Sequence, residues 1–260
     1  MANQVAQKRF LSIIESICYW LGYQTKIGRE QLLHEASLRY PIADTITADG
    51  LPIGSLVLER LHPIFKSKKI DLVIYDTSIV DPTMQQNDDF LNEVFEFKLA
   101  KVSTGEEGGA EHQRVFDDVV RLAYYNLWRN KSCYFLIAGT YENFKAFFVG
   151  QNKSVYQSDG RNRLTPRGFE DGSDIWNPAG IYSDWFKFEV GGIQIKEFNN
   201  DATFGLQSFQ ENYHIRDEFD FSYEDSIIVK STCLAITPNG QENRTHAAGL
   251  WKIESPRSNE

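Results

Sequence analysis

Cysteine is scarce in this chain: Cys18, Cys133 and Cys233 are odd in number, far apart, and form no CxxC pair. That argues against a disulfide framework and a cysteine zinc site, and it points to a reducing, cytoplasmic setting. Long apolar runs are missing too, with no charge-free stretch near the roughly 20 residues that a membrane-spanning helix needs. The opening MANQVAQKRF leads into an amphipathic stretch where a signal peptide would carry an apolar centre, so neither export nor anchoring is expected. There is no P-loop, GxGxxG, HExxH or nucleophile elbow, and the five histidines (His34, His62, His112, His214, His246) lack metal-ligand spacing. Also absent is an excess of basic charge. The net charge of -9 is unlike that of proteins that coat nucleic acid nonspecifically. It still leaves room for an enzyme whose acids ligate a metal while a local basic strip offsets phosphate charge.

What is present is a hydrophobic content of 42% over 260 residues, enough to build a sizeable core. Apolar residues at Phe10, Leu11, Ile14, Cys18 and Leu21 predict a helix with one buried stripe. A second helix is expected from about Arg29 to Arg39, which Pro41 kinks or ends. Strands follow at Ser55 to Leu61, Lys69 to Tyr75 and Glu93 to Leu99. STGEEGGA reads as a flexible breaker, after which Phe116, Val119, Val120, Ala123 and Leu127 mark one face of a helix. SCYFLIAGT then predicts a strand buried on both faces. From Gly150 to Asp225 the pattern is irregular and rich in aromatics such as Trp176, Tyr182, Trp185, Phe186 and Phe188. DSIIVKSTCLAIT and THAAGLWKIE, separated by the turn signal Asn239-Gly240, close the chain as a hairpin.

The residues that could carry chemistry lie on the second and third strands. Asp71 interrupts an apolar run in which both strand faces look buried. Either it ends the strand in water or on backbone N–H groups, or a cation compensates it in the interior. Glu96 and Lys98, two residues apart, share one strand face, and Phe95, Phe97 and Leu99 share the other. Glu-x-Lys alone is a common pattern; its meaning comes from an Asp on the neighbouring strand and from helices that would cover the sheet. Phosphodiester hydrolysis would account for polar residues on a covered face. A magnesium ion prefers carboxylate and water oxygens, and Asp71 and Glu96 could hold one while Lys98 orients or deprotonates the attacking water or stabilises the transition state.

At these residues, Asp71 in KKIDLVIYD and Glu96-Phe97-Lys98 in EVFEFKLAK, the chain resembles the PD-(D/E)XK or restriction-endonuclease-like nucleases. Ile70 stands where a proline often precedes the first acid. The resemblance spans roughly residues 28 to 140 through the order helix, three strands, helix, strand. It implies an α/β fold: a central mixed sheet flanked by helices with an αβββαβ core. Residues 1–149 would form a nuclease core with an N-terminal helix. Residues 150–260 would form an aromatic-rich elaboration ending in a β-hairpin packed on that core.

The resemblance further implies Mg2+- or Mn2+-dependent endonucleolytic cleavage of double-stranded DNA, in restriction or defence against foreign DNA, with Asp71 and Glu96 as metal ligands. Members of the superfamily often add an acid from the preceding helix. Glu35 fills that role here with Arg39 one turn on, and Glu15 is a rival one element too early. Gln113 and Arg121 on the later helix, together with Arg39, are candidates for substrate binding, against an intrahelical Asp117–Arg121 ion pair. Cutting two strands favours a symmetric homodimer, and the Gly150 to Asp225 segment, with Lys153, Arg161, Arg163, Arg167 and Lys187, would shape the cleft or the dimer interface. Kinship of fold does not fix function. A catalytically silent module that binds nucleic acid or a partner protein, and a nuclease acting on RNA or branched DNA, are the alternatives.

Overall fold

The computed structural model describes residues 2–76, 88–100, 106–141, 143–144, 156–158, 164–166, 184–199, 206–237 and 245–256. Helix α1 (Ala2–Lys26) is longer than its apolar stripe suggests; it buries Ile13, Ile14, Ile17 and Leu21 and gives way at Gly28, whose φ of 73° is left-handed. The single helix expected over Arg29–Arg39 does not form. Its residues make two 3-10 turns, Glu30–Leu32 and Glu35–Leu38, and the next helix, α2 (Arg39–Ala48), starts where that one was to end. The break has a local cause. His34 is extended, its amide donates to Ser37 Oγ, and its carbonyl accepts from the Ser37 amide, so the chain caps itself afresh at Glu35. Pro41, expected to kink or end a helix, lies in the first turn of α2, where its missing N–H would have had no helical partner.

Strands β1 (Leu56–Leu61), β2 (Lys69–Tyr75), β3 (Leu91–Leu99) and β4 (Ser132–Thr140) lie close to their expected bounds. Helix α3 (Glu106–Arg129) connects β3 to β4 and begins inside the stretch read as a breaker. Two glycines cost a helix about 1 kcal/mol each, which the near-complete burial of Val115 to Tyr125 outweighs. Beyond residue 150 the described elements are a small pair, β5 (Tyr156–Ser158) and β6 (Leu164–Pro166), then β7 (Ile193–Asn199), α4 (Leu206–Asn212), β8 (Ser226–Thr237) and β9 (His246–Glu254). Asn239-Gly240, Lys153, Arg161, Arg163, Arg167, Trp176 and Tyr182 lie outside the described residues.

The protein is an α/β structure around one seven-stranded mixed sheet in the order β1-β2-β3-β4-β9-β8-β7. The β3–β4 pair, bridged by α3, is parallel, and every other neighbour pair is antiparallel. The closing strands β8 and β9 pair antiparallel with each other and join the sheet through β9 on β4, extending it edge to edge. Alternation sorts side chains to two cores. Val73, Tyr75, Phe135, Ile137, Trp251 and Ile253 pack with α3, whereas Leu72, Ile74, Phe95, Phe97, Leu136 and Leu250 pack with α1 and α2. Strand β4 is buried on both sides from Cys133 to Gly139. Cys18, Cys133 and Cys233 are free and buried, and among the described residues no helix is long and apolar enough to cross a membrane.

The packing of β9 carries a test. A Cβ placed on Gly249 would collide with the benzenoid ring of Trp251, and that indole is pinned by its Nε1–H donating to the Lys187 carbonyl at 2.7 Å. Gly249→Ala is expected to lower stability by about 1–3 kcal/mol through this overpacking. Urea unfolding would read it as an earlier midpoint, and an unchanged midpoint would show that Trp251 can swing clear.

Candidate active site

The ladder between β2 and β3 pairs Ile74 with Glu93, Val73 with Val94 and Leu72 with Phe95; one step further in that register, Asp71 stands opposite Glu96. Paired residues stop there. The Phe97 N–H instead donates to Asp71 Oδ2 at 2.9 Å, so a side chain takes the place of a backbone acceptor. Asp71 Oδ1 accepts from Arg39 Nη2 at 2.6 Å, and Arg39 Nη1 donates to Glu59 Oε1 at 2.5 Å. Glu59 itself has φ of 51°, an uncommon value for a residue with a side chain, at a position of β1 that has no register partner.

On the α3 side of the sheet, the Glu96 side chain is only 3% exposed. Its Oε1 lies 2.7 Å from Arg121 Nη2, an ion pair whose alignment does not make a hydrogen bond, so this buried oxygen is left without one. Arg121 Nη2 also reaches Asp118 Oδ1 at 2.8 Å. The other Asp118 oxygen is 2.9 Å from Lys98 Nζ, and both Glu35 oxygens are 3.2 Å from the same ammonium. Lys98 and Arg121 thus join Glu35, Asp118 and Glu96 in one chain of ion pairs, and Arg39 joins Asp71 and Glu59 in a second, close enough for the Asp71 charge to act on Glu96.

The structure brings together Asp71, Glu96, Lys98, Glu35, Arg39 and Arg121 of the residues singled out from sequence. It does not bring Gln113 into direct contact with them. Gln113 Nε2 donates to Asp117 Oδ1 at 2.8 Å, and Asp117 Oδ2 accepts from the Tyr213 hydroxyl at 3.3 Å. The intrahelical Asp117–Arg121 pair weighed from sequence gives way to Asp118–Arg121 at i,i+3. Glu15 lines a separate cavity on α1. Lys187 is exposed on the segment that packs against Trp251. Sequence reasoning missed Asp118 and Glu59. The signal for Asp118 was its position three residues before Arg121 on a helix with few exposed positions; Glu59 offered none beyond alternation.

Burial pushes the Glu96 carboxyl well above its ordinary value of 4.5; Arg121 opposes the shift, and Asp71 and Asp118 add to it. Burial also pushes Glu35 up to about 7, against the pull of Lys98, with Asp118 and Asp71 adding repulsion. The Glu35 side chain is 39% exposed, so water screens part of this effect. Arg121 is raised despite its own burial, because Glu96 and Asp118 favour its charge.

Excess carboxylate with an unbonded buried oxygen is an environment in which a divalent cation would be stabilised. Among the described residues no group of three or more His, Cys, Asp and Glu side chains is placed to hold a metal ion. Magnesium asks for less, commonly one or two carboxylates with water and substrate oxygens completing the shell. Asp71 and Glu96 fit that requirement.

A carboxyl whose pKa is higher in the folded than in the unfolded chain contributes most to stability at acid pH, and this contribution falls as pH rises above about 4.5. Buried His62, held well below 6.5 by burial and by Arg121 and Arg216, acts in the opposite sense, its contribution being lost as pH falls below that value. His62 is common to wild type and a Glu96→Gln variant, so their difference isolates the acid. In chelator, the variant is expected to gain stability over wild type progressively between pH ~5 and ~8. Urea titrations across that range measure it, and a pH-independent difference would show that Glu96 is ionised throughout.

Comparison with protein-family models, with curated proteins and with solved structures gives no match for this chain.

Proposed function

We propose that the protein is a Mg2+- or Mn2+-dependent nuclease that hydrolyses DNA phosphodiester bonds. The observation that carries this reading is the placement of Asp71 opposite Glu96 at the end of the β2–β3 ladder, with a buried Glu96 oxygen lacking a hydrogen bond and Lys98 on the same strand face. The order α2, three antiparallel strands, α3 and a parallel β4 supports a restriction-endonuclease-like core. Three buried free thiols accord with a cytoplasmic site of action. Double-stranded DNA as substrate, a homodimer that presents two sites, and a role in restriction or defence extend the same reading.

In this mechanism Asp71 and Glu96 would hold the ion, which would supply Lewis-acid polarisation of the phosphate and activation of the attacking water. Asp71 is oriented by the Phe97 N–H and Arg39, so its carboxylate is fixed before substrate arrives. The Lys98 ammonium, held between Asp118 and Glu35, is likewise preorganised; it orients the attacking water and faces the charge that develops on the phosphoryl oxygens. Glu35, titrating near neutrality, is suited to hold or release a proton at its carboxyl oxygens. Arg39, whose guanidinium is shared between Asp71 and Glu59, is the cation for which a substrate phosphate would compete with these carboxylates.

One observation favours a second reading, a catalytically silent module that binds nucleic acid or a partner: Arg39 and Arg121 already neutralise both acids without a metal. The same experiment decides between them. Lys98→Ala is expected to slow cleavage by ~100-fold or more with metal affinity nearly intact, since it removes transition-state stabilisation. Glu96→Ala is expected to weaken Mn2+ binding itself. Calorimetric Mn2+ titration is run beside cleavage of plasmid, linear duplex, single strand and RNA. Wild-type cleavage by Lys98→Ala would remove its role, unchanged metal affinity in Glu96→Ala would remove ligation, and no cleavage of any substrate by the wild type would favour the silent module.

A further inference from the structure

A cavity of about 450 Å³ lies between α1 and the start of β9, away from the acidic cluster. Its rim carries Tyr19 and Tyr23, one helical turn apart and therefore on one face of α1. These rings are 87% and 58% exposed, an unusual outlay of aromatic surface on one helix face that the hydrophobic core does not use. Gly22 opens the space between them: a Cβ there would meet nothing closer than His246 Nδ1 at 3.6 Å. The His246 ring at the back of the cavity is held in place, with Nδ1 2.8 Å from Thr245 Oγ1 and Nε2 3.1 Å from Thr25 Oγ1. Glu15, one turn before Tyr19, supplies a carboxylate acceptor, and Lys26, one turn after Tyr23, supplies a cation at the outer end.

This combination suits a flat, hydrogen-bonding ring attached to an anion. A tyrosine face stacks on a heteroaromatic base, a carboxylate accepts from an N–H on the edge of that base such as thymine N3–H, and a lysine meets the phosphate. The volume falls in the range of small-molecule sites, large enough for a nucleotide. Position in the sheet narrows the ligand further. Lys98 is level with Ile137 on β4, whereas His246 pairs with Thr140 three residues further along, on the strand after β4. From strand spacing and rise, the cavity is on the order of 15 Å from Lys98, at the same end of the sheet. It opens on the α1 side, whereas Glu96 and Lys98 face α3. A stiff duplex lying on the acids cannot deliver a stacked, paired base around the end of the sheet. An unpaired strand can, because its bases are free to turn outward and its backbone bends.

We infer that the cavity between Tyr19, Tyr23 and His246 is a subsite for an unpaired nucleotide, which takes a single-stranded segment flanking the bond presented to Asp71, Glu96 and Lys98. The inference deepens the nuclease reading by naming a substrate with a single-stranded part, and it rests on that reading only for where the strand leads.

The experiment is fluorescence anisotropy of labelled oligodeoxythymidylate and of a blunt duplex of equal length, with the full chain in chelator so that no cleavage intervenes. The intact protein is expected to bind the single strand. Tyr19→Ala with Tyr23→Ala should weaken that binding by ~10-fold or more with duplex binding unchanged, given about 1–3 kcal/mol per stacked base. Tyr19→Phe with Tyr23→Phe should retain most of the affinity, because the ring and not the hydroxyl makes the stack. Both positions are at the surface, and circular dichroism confirms that the variants fold. No single-strand binding by the intact protein, equal affinity in the double Ala variant, or equal loss in the Phe variant would each overturn the subsite. So would sedimentation showing that the Ala variant loses only a self-association. Tyrosine-dependent binding by a protein that cleaves nothing would leave the subsite standing and sink the nuclease reading, and cleavage with tyrosine-independent binding would do the reverse.

Discussion

Everything in the acidic cluster depends on a single substitution of one acceptor for another: at the end of the β2–β3 ladder, the Phe97 N–H bonds to the Asp71 side chain. A strand amide without a partner in the interior would cost on the order of 1–3 kcal/mol, so the carboxylate is held where the ladder leaves off. Once it is fixed there, Glu96 must stand directly opposite, and the two acids repel unless cations intervene. Arg39 comes from one side of the sheet and Arg121 from the other to supply them. The positions of η-nitrogens from two helices thus follow from one hydrogen bond between a strand amide and the Asp71 carboxylate.

The cluster is electrostatically tense in a way that cores are not. Removing two charges from water is expensive, and their mutual attraction restores the loss only when each remaining atom is satisfied. Here Asp118 bridges Lys98 and Arg121, whereas Glu96 Oε1 is ion-paired with Arg121 at 2.7 Å without an aligned hydrogen bond, so its burial is the less fully offset of the two. The same arrangement explains why a lysine is tolerated at 7% side-chain exposure: two carboxylates from separate elements share it.

How much of this could be read from the letters varies with the range of the forces involved. Strands β2, β3 and β4 were legible because alternation or a continuous apolar run reports which faces are covered, and the sharing of one face by Glu96 and Lys98 follows from the period of a strand alone. The stretch 29–39 was misread because its helical spacing is genuine but a local His34–Ser37 cap interrupts it. Asp118 could not be separated from Asp117 by pattern. Both sit beside an apolar face, and only the tertiary approach of Lys98 distinguishes them. Strand β7 resisted for the opposite reason: Ile193 and Ile195 face outward on a sheet edge, while Gln194 and Lys196 lie half-buried, inverting the usual rule. Glu35 and Arg39 were picked as neighbours on a helix and do reach the cluster, from a 3-10 turn and from the first residue of α2.

The strand order has a consequence for synthesis. The middle of the sheet is the β4–β9 seam, which joins Thr140 to His246 and Cys133 to Ile253, so more than a hundred residues separate the partners. While the ribosome makes that interval, SCYFLIAGT presents a bare hydrogen-bonding edge flanked by apolar side chains on both faces, the sort of segment that other nascent chains can capture. Closure of the seam waits for nearly the last strand and involves large sequence separations, which makes folding slow relative to a helical protein of equal size. This chain should therefore be among those that lean on a chaperone to shield one strand until its distant neighbour emerges.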